Sequence, residues 1–379
     1  MKILVGLSGG VDSAVAAHLL KEQGHHVVCA FMRNWDSIAN QDILGNPTLQ
    51  NDACPQEEDW MDAKAVAEKL GLEIQRVDFI KEYWDEVFMT FLEEYKKGRT
   101  PNPDILCNQH IKFHSFYHYA KQQGFDYLAT GHYARVEHTE DESFLLRAKD
   151  SNKDQSYFLC QIPKEALNET LFPLGELLKS EVREIADKLD LPVAKKKDST
   201  GICFIGERNF REFLKNYLPA KNGKIIDVDT KKELGEHQGV LYYTIGQRKG
   251  LDIGGVGGPW FVVGKNVETN QLYVASGDDN PWLVSTSCLV SNVHWLKECE
   301  EQFECTAKFR YRQQDHPVSI KKIDKTTIVC TYPQGVKGVT PGQEAVLYAG
   351  ETVLAGGVID KIFNGNENLE TKIKNKVMD

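Results

Sequence analysis

The chain has no run of about 18 consecutive apolar residues, so no membrane-spanning helix is expected. Its first residues carry neither the cationic segment nor the apolar core of a secretory signal, so no leader is expected. No C-x-x-C occurs among the nine cysteines, and the closest pair is Cys299 and Cys305. An odd number of scattered cysteines excludes a disulfide framework, and their spacing suits neither a zinc ribbon nor an iron–sulfur cluster. A cytoplasmic protein with reduced thiols is expected. A basic excess is also missing, since the net charge is −10. Residues 282–379 hold 12 Lys+Arg and 12 Asp+Glu, so the whole of that −10 lies in residues 1–281. Any RNA contact must therefore use local basic patches on an acidic body, with modest affinity that falls steeply with salt.

What is present is a nucleotide-site signature at residues 3–13. Lys2–Leu7 is a short apolar run of the buried-strand type. Ser8–Asp12 forms a turn with two glycines, and Ala14–Leu20 reads as a helix stopped by Gly24. Glycines let backbone N–H groups approach phosphate, and the helix dipole adds partial positive charge. The loop is not a Walker A loop, because no Gly-Lys-Ser/Thr follows, and the G-x-G-x-x-G spacing is absent. Ser8-Gly9-Gly10-Val11-Asp12-Ser13 resembles the loop of the ATP-pyrophosphatases, which cleave ATP between the α and β phosphates. A tight structural turn is the alternative.

The chain length of 379 residues predicts two or three domains. Strands at His26–Met32, Leu72–Val77 and Tyr127–Thr130 alternate with helices at Glu57–Leu70, Lys81–Lys97 and Ile111–Gln122. Arg33–Gln56 reads as a long surface loop. This alternation predicts an α/β fold with a doubly wound parallel sheet and ligands at the carboxyl ends of its strands. Ser8–Ser13, Met32 and Gly131 lie at such ends; Met32 is core or a nucleotide contact. Tyr133–Asp150 reads as a hairpin. Ser151–Gln161 reads as a short helix with a Ser151/Asp154 capping box. Leu178–Leu189 and Phe210–Leu218 are further helices. From residue 219 short β-prone segments with Gly turns take over, which predicts a central β-rich domain at 219–281 and a C-terminal β-barrel at 282–363. Residues 364–379 read as a frayed polar tail.

Two further stretches carry chemistry. In Pro101–Asn108, two prolines set a rigid loop ahead of a helix, and Cys107 lies near that helix N-terminus, where a thiolate is favoured. Asp104 is either a proton donor and acceptor or a helix cap. In 198–206, Cys203 sits in a Gly-flanked loop after the basic run Lys195–Lys197. It is either a second thiolate or a small buried apolar residue.

Seven motifs in order resemble the bacterial and organellar tRNA-specific 2-thiouridylase family over about residues 1–363. They are Ser8–Ser13, Pro101–Cys107, 129–135 (Ala-Thr-Gly-His-Tyr-Ala-Arg), 153–159 (Lys-Asp-Gln-Ser-Tyr-Phe-Leu), Gly201–Gly206, 244–250 (Thr-Ile-Gly-Gln-Arg-Lys-Gly) and 309–313 (Phe-Arg-Tyr-Arg-Gln). The resemblance implies ATP on Gly6, Leu7, Ser8, Gly9, Gly10, Val11, Asp12 and Ser13, with Met32 and Gly131 near the adenosine. It implies a wobble uridine of tRNA, for lysine, glutamate and glutamine, facing Asn102, Pro103 and Asp104. Cys203 would carry a persulfide from a sulfur-relay protein or a cysteine desulfurase. Cys107 would resolve it as a Cys107–Cys203 disulfide, with Asp104 as acid/base. Mg²⁺ would offset the triphosphate charge, with Asp12 a candidate ligand. The target base must be flipped out to reach such a site. Contacts to tRNA would come from His132, Lys153, Asp154, Gln155, Gln247, Arg248, Lys249, Arg310, Tyr311, Arg312 and Gln343; solvated surface residues, or a cap for Asp154, are the alternative. Two competing functions remain at this level. One is a synthetase of the argininosuccinate, GMP or NAD type, which needs no reactive thiols. The other is an RNA-binding protein with a vestigial nucleotide fold.

Overall fold

In a computed structural model of the chain, residues 1–46, 55–198, 205, 209–254 and 258–378 are described. They fall into two compact units: 1–89 with 103–213 and 350–353, and 90–102 with 214–349 and 354–379.

The first unit is built on a five-stranded parallel sheet in the order β3-β2-β1-β4-β7. Its strands are β1 (Lys2–Gly6), β2 (His26–Arg33), β3 (Glu73–Asp78), β4 (Tyr127–Ala129) and β7 (Thr170–Leu171). Ile3, Leu4 and Val5 are wholly buried, because β1 is central and both its faces are covered by helices. The order reverses between β1 and β4, where such sheets open a crevice above their carboxyl ends. A hairpin, β5 (Arg135–His138) and β6 (Ser143–Leu146), follows β4 in sequence.

Several local expectations need correction. The helical chain expected from 111 starts at Pro103 and runs through a π-helical stretch, Asn108–Ser115, before Phe116–Gln122. A second π-helical stretch, Tyr83–Phe88, interrupts the expected 81–97 helix. Such turns depend on tertiary packing and leave no periodicity to read. Residues 151–161 hold no helix of the expected length: a 3₁₀ turn covers Ser156–Leu159, and Asp154 makes no capping box. The segment after β2 is not all surface, since Asn34, Trp35, Asn40 and Asp42 are buried. Trp35 packs there against Tyr83, Trp84, Phe88 and Phe213.

The second unit carries two β systems. One is a four-stranded sheet in the order β10-β11-β8-β9. Its strands are β8 (Gly223–Asp227), β9 (Glu233–His237), β10 (Trp260–Asn266) and β11 (Gln271–Ser276). The other runs β12-β15-β14-β13-β16-β17 and closes through β12–β17 pairing into a six-stranded barrel. These strands are β12 (Val284–Trp295), β13 (Gln302–Lys308), β14 (His316–Lys322), β15 (Ile328–Lys337), β16 (Glu344–Ala349) and β17 (Thr352–Asn364). Closure removes the two exposed edges that an open six-stranded sheet would otherwise present. Within the β-rich stretch from residue 219, Val240–Tyr242 is a 3₁₀ turn.

Residues 90–102 belong to this second unit. Arg99 Nη1 lies 2.8 Å from Asp360 Oδ1, and the Thr100 amide donates to the Pro341 carbonyl at 3.0 Å. The frayed tail is also a correction. Leu369–Met378 is a helix whose Leu369 and Ile373 are buried, with Ile373 close to Gly264 of β10.

Candidate active site

The loop Leu7–Gly10 leaves β1 and enters the helix Val11–Glu22 at the crevice between β1 and β4. β2 continues three residues, Phe31 to Arg33, past the last β1–β2 pair, Gly6↔Ala30. The helix has no side-chain cap at Gly10, so its first N–H groups stay available to an anion. Ser13 braces the loop from inside: its hydroxyl accepts from the Ser8 amide at 3.1 Å and lies 3.2 Å from the Gly10 carbonyl.

The glycines are required by contact. Gly9 has φ +73°, and a Cβ there would lie 2.3 Å from the Asp59 carbonyl oxygen. A Cβ on Gly131, at the end of β4, would lie 2.7 Å from the Ser13 nitrogen. The β4 turn and the helix N-terminus therefore touch through backbone alone. A Cβ on Gly6 would meet Phe116 and Met32 at 3.3 and 3.4 Å. Met32 itself is buried and packs over Gly6.

Around this loop runs a charge network. Asp12 Oδ1 accepts from the Tyr133 hydroxyl at 2.8 Å, and Lys179 Nζ lies 2.7 and 2.9 Å from the two Asp12 oxygens. The same ammonium is 2.9 Å from Asp198 Oδ1. Asp198 also takes Arg183 Nη2 at 2.6 Å and Lys153 Nζ at 2.5 Å. Burial alone would push the Asp198 carboxyl up, but the bonds from Lys153 and Lys179 hold it well below the usual carboxylate range. Lys196 Nζ donates to the Gly9 carbonyl at 3.1 Å and to Asp59 and Asp62. Burial pulls its ammonium pKa down, and the two carboxylates outweigh that and raise it.

Lys179 and Arg183 escaped the sequence reading. The available signal was weak: Lys179 opens the helix Lys179–Lys188, where the dipole disfavours a cation.

The other expected site residues have definite surroundings. Cys107 is wholly buried in the helix Pro103–Cys107, with Asp104 in its first turn and half-buried. Asn102 is half-buried, directly before that helix. Cys203 lies outside the described residues. His132 is buried, with Nδ1 2.8 Å from Thr130 Oγ1 and Nε2 3.3 Å from Lys112 Nζ. Burial, reinforced by the Lys112 charge, pushes its pKa well below the ordinary histidine value, so the ring is neutral.

Asp154 is buried and accepts from the Ala148 and Ser156 amides at 3.0 and 3.2 Å. Gln155 pairs with the Tyr133 backbone at 2.7 and 2.9 Å. The side chains of residues 153–155 are thus bonded to Asp198, to the Ala148 and Ser156 amides and to the Tyr133 amide.

In the second unit, Arg310 Nη2 donates to the Ile245 carbonyl and to Thr340 Oγ1, both at 2.7 Å. Gln343 Nε2 donates to the Thr100 carbonyl at 2.6 Å. Gln247 ties its own turn through the Thr244 amide and the Lys249 carbonyl. Arg248, Lys249 and Arg312 are exposed, and Tyr311 is half-buried with the Arg312 guanidinium 5.8 Å from its ring.

Residues 1–207 match the family described as the tRNA methyl transferase HUP domain. Residues 211–276 match the tRNA methyl transferase PRC-barrel domain, and 285–359 the aminomethyltransferase β-barrel domain. The tRNA-specific 2-thiouridylase MnmA of Mycoplasma mycoides is 55% identical over 371 residues, covering 96% of this chain and 99% of its own. This chain belongs to the MnmA family. The MnmA of Acholeplasma laidlawii is 54% identical, covering 97% of this chain and 98% of its own. That of Bacillus cytotoxicus is 48% identical over 97% of each. With identity this high along nearly the whole length, the MnmA fold extends across both units, and the ATP-loop network sits in its HUP domain.

Among the described residues no group of three or more His, Cys, Asp or Glu could hold a metal ion. Mg²⁺ usually takes one or two carboxylates plus substrate phosphates. Asp12 fits that pattern, provided Lys179 releases it.

Proposed function

We propose that this chain is an ATP-dependent tRNA sulfurtransferase that converts the wobble uridine to 2-thiouridine. The observation that carries the reading is the Ser8–Ser13 loop at the β1/β4 crevice, in a chain 48–55% identical to 2-thiouridylases over nearly its full length. The uridine O2 attacks the ATP α-phosphate, and pyrophosphate leaves. A carbonyl oxygen is a poor leaving group, and adenylation makes it a good one. The terminal sulfur of a Cys203 persulfide then attacks C2, and AMP leaves. Cys107 attacks the Cys203 sulfur, which releases the thiolated base and leaves a Cys107–Cys203 disulfide for a thiol reductant to reopen.

Asp104, in the first turn of the helix that carries Cys107, moves the proton. Mg²⁺ offsets triphosphate charge, and Asp12 is the residue that would hold it. Substrates are the tRNAs for lysine, glutamate and glutamine, and sulfur arrives from a relay protein or a desulfurase in the cytoplasm. Residues 1–218 form the catalytic domain, with 219–281 and 282–363 as the central and tRNA-contacting domains. The surroundings of residues 153–155, Arg310 and Gln343 support an indirect role in tRNA binding, through the loops they hold.

The test incubates wild type and Cys203→Ser with unmodified tRNA, ATP, Mg²⁺ and a persulfide source. Pyrophosphate, AMP and 2-thiouridine are followed together. The expected result is thiolation by wild type only, with tRNA-dependent pyrophosphate release surviving in Cys203→Ser. Normal thiolation by Cys203→Ser would require another sulfur path.

A further inference from the structure

Lys179 is placed against its own helix. It is the first residue of Lys179–Lys188, where aligned peptide dipoles repel a cation. Its backbone amide is held by Asp150 Oδ2 at 2.9 Å, so the position is fixed. Only 14% of its side chain is exposed, and its ammonium bridges Asp12 and Asp198 while lying 5.7 Å from the Tyr133 ring centroid. Asp12 is the second residue of the helix Val11–Glu22, whose N-terminus is the anion site. A triphosphate arriving there meets the Asp12 carboxylate, and like charges at that distance repel. Lys179 cancels the repulsion in the free protein. Asp12 is the residue that would hold a phosphate-borne Mg²⁺, and an ammonium released from it would lie beside the incoming phosphates with one carboxylate fewer to satisfy.

We propose that Lys179 is a phosphate-binding residue of the ATP site, exchanging Asp12 for a phosphate oxygen when the nucleotide docks on Leu7–Gly10. The inference rests on the proposed function only for the identity of the nucleotide. Asp198 keeps the ammonium oriented through the exchange, and Arg183 and Lys153 hold Asp198 in turn. A lysine suits this role because its three donors rotate freely about a compact charge.

The experiment measures equilibrium binding of ATP, with and without Mg²⁺, to wild type, Lys179→Met and Lys179→Arg. Folding is checked by circular dichroism and tRNA binding by filter retention. The expected result for Lys179→Met is a loss of ATP affinity of about tenfold or more, the scale of one charge-assisted hydrogen bond. Lys179→Arg recovers part of it, and tRNA affinity is unchanged. Wild-type ATP affinity in Lys179→Met overturns the proposal.

Restoration of ATP affinity by adding Asp12→Asn to Lys179→Met overturns it too, because Lys179 would then only neutralise Asp12. Should Lys179→Met not fold, Lys179→Arg carries the test: a several-fold weaker ATP affinity supports the contact, and an unchanged one refutes it. A wild type that binds ATP but makes no 2-thiouridine defeats the sulfurtransferase reading and leaves the Lys179 assignment to the binding data. A wild type that binds no ATP defeats both.

Discussion

Gly9 and Gly24 share a backbone conformation, φ +73° and +80°, but not a setting. A Cβ at Gly24 meets nothing within 4 Å, whereas one at Gly9 would strike the Asp59 carbonyl at 2.3 Å. Gly24→Ala should cost about 1–2 kcal/mol, the penalty of a left-handed backbone, and leave ATP binding intact. Gly9→Ala adds the clash, forces the loop off the helix Pro55–Leu70, and should abolish pyrophosphate release. Urea unfolding and ATP titration of both variants check this; wild-type ATP affinity in Gly9→Ala would refute the argument. Asp198 gives a second prediction at this scale. Its folded carboxyl is held below its unfolded value, so the stabilisation is present above pH ~4 and is lost as pH falls through the folded value. Asp198→Asn should therefore cost about 1 kcal/mol at pH 7, small because solvent screens a partly exposed network. The cost should stay constant down to pH ~5 and shrink in stronger acid. A cost that grows on acidification would assign the stabilisation to some other group.

The helix Leu369–Met378 shows what an element needs in order to be visible in sequence. Its apolar stripe is Leu369, Ile373 and Val377, spaced four apart in a polar run that ends on the exposed Met378, and that stripe is too thin to announce a helix by itself. Leu369 and Ile373 nonetheless pack into the core of the second unit, with Gly264 making room. Ile373→Ala should destabilise that unit by about 2–4 kcal/mol, the range for emptying a buried aliphatic site. Unfolding monitored by the tryptophans should shift accordingly, while an unchanged midpoint would mean that the helix is a dispensable addition. The β1–loop–helix element was legible because its signals are local: a buried apolar run, glycines and a helix start within twenty residues. The π-helical stretches at 83–88 and 108–115 were not, since helix pitch there is set by what packs against it. The same holds for the network around Asp12. Lys179 is 167 positions from Asp12, and only the fold of the parallel sheet makes them neighbours.

Over the whole molecule, charge sets the terms of RNA binding. The body is acidic, with all of the net −10 in residues 1–281, so tRNA cannot be held by a general positive field. Family resemblance points to eleven residues for tRNA binding, and the fold divides them. Asp154 is buried, and Lys153, Gln155, Arg310 and Gln343 are committed to internal partners. Arg248, Lys249 and Arg312 are exposed. That division predicts two classes of variant. Removing an exposed cation, as in Arg248→Gln, Lys249→Gln or Arg312→Gln, should lower tRNA affinity at low salt. It should also reduce the slope of log K against log salt by about 0.7–0.9 for each phosphate that is no longer neutralised. ATP affinity should not change, because none of the three belongs to the nucleotide loop. Gln343→Ala behaves differently. Its amide holds the Thr100 carbonyl just ahead of Pro101–Asp104, so the salt slope should stay at the wild-type value while turnover on bound tRNA falls. Filter binding across a salt series, with single-turnover thiolation on the same preparations, separates the two. If Gln343→Ala lowers the slope and Arg248→Gln does not, the exposed cations are solvated surface and the internal residues are the ones that meet phosphate.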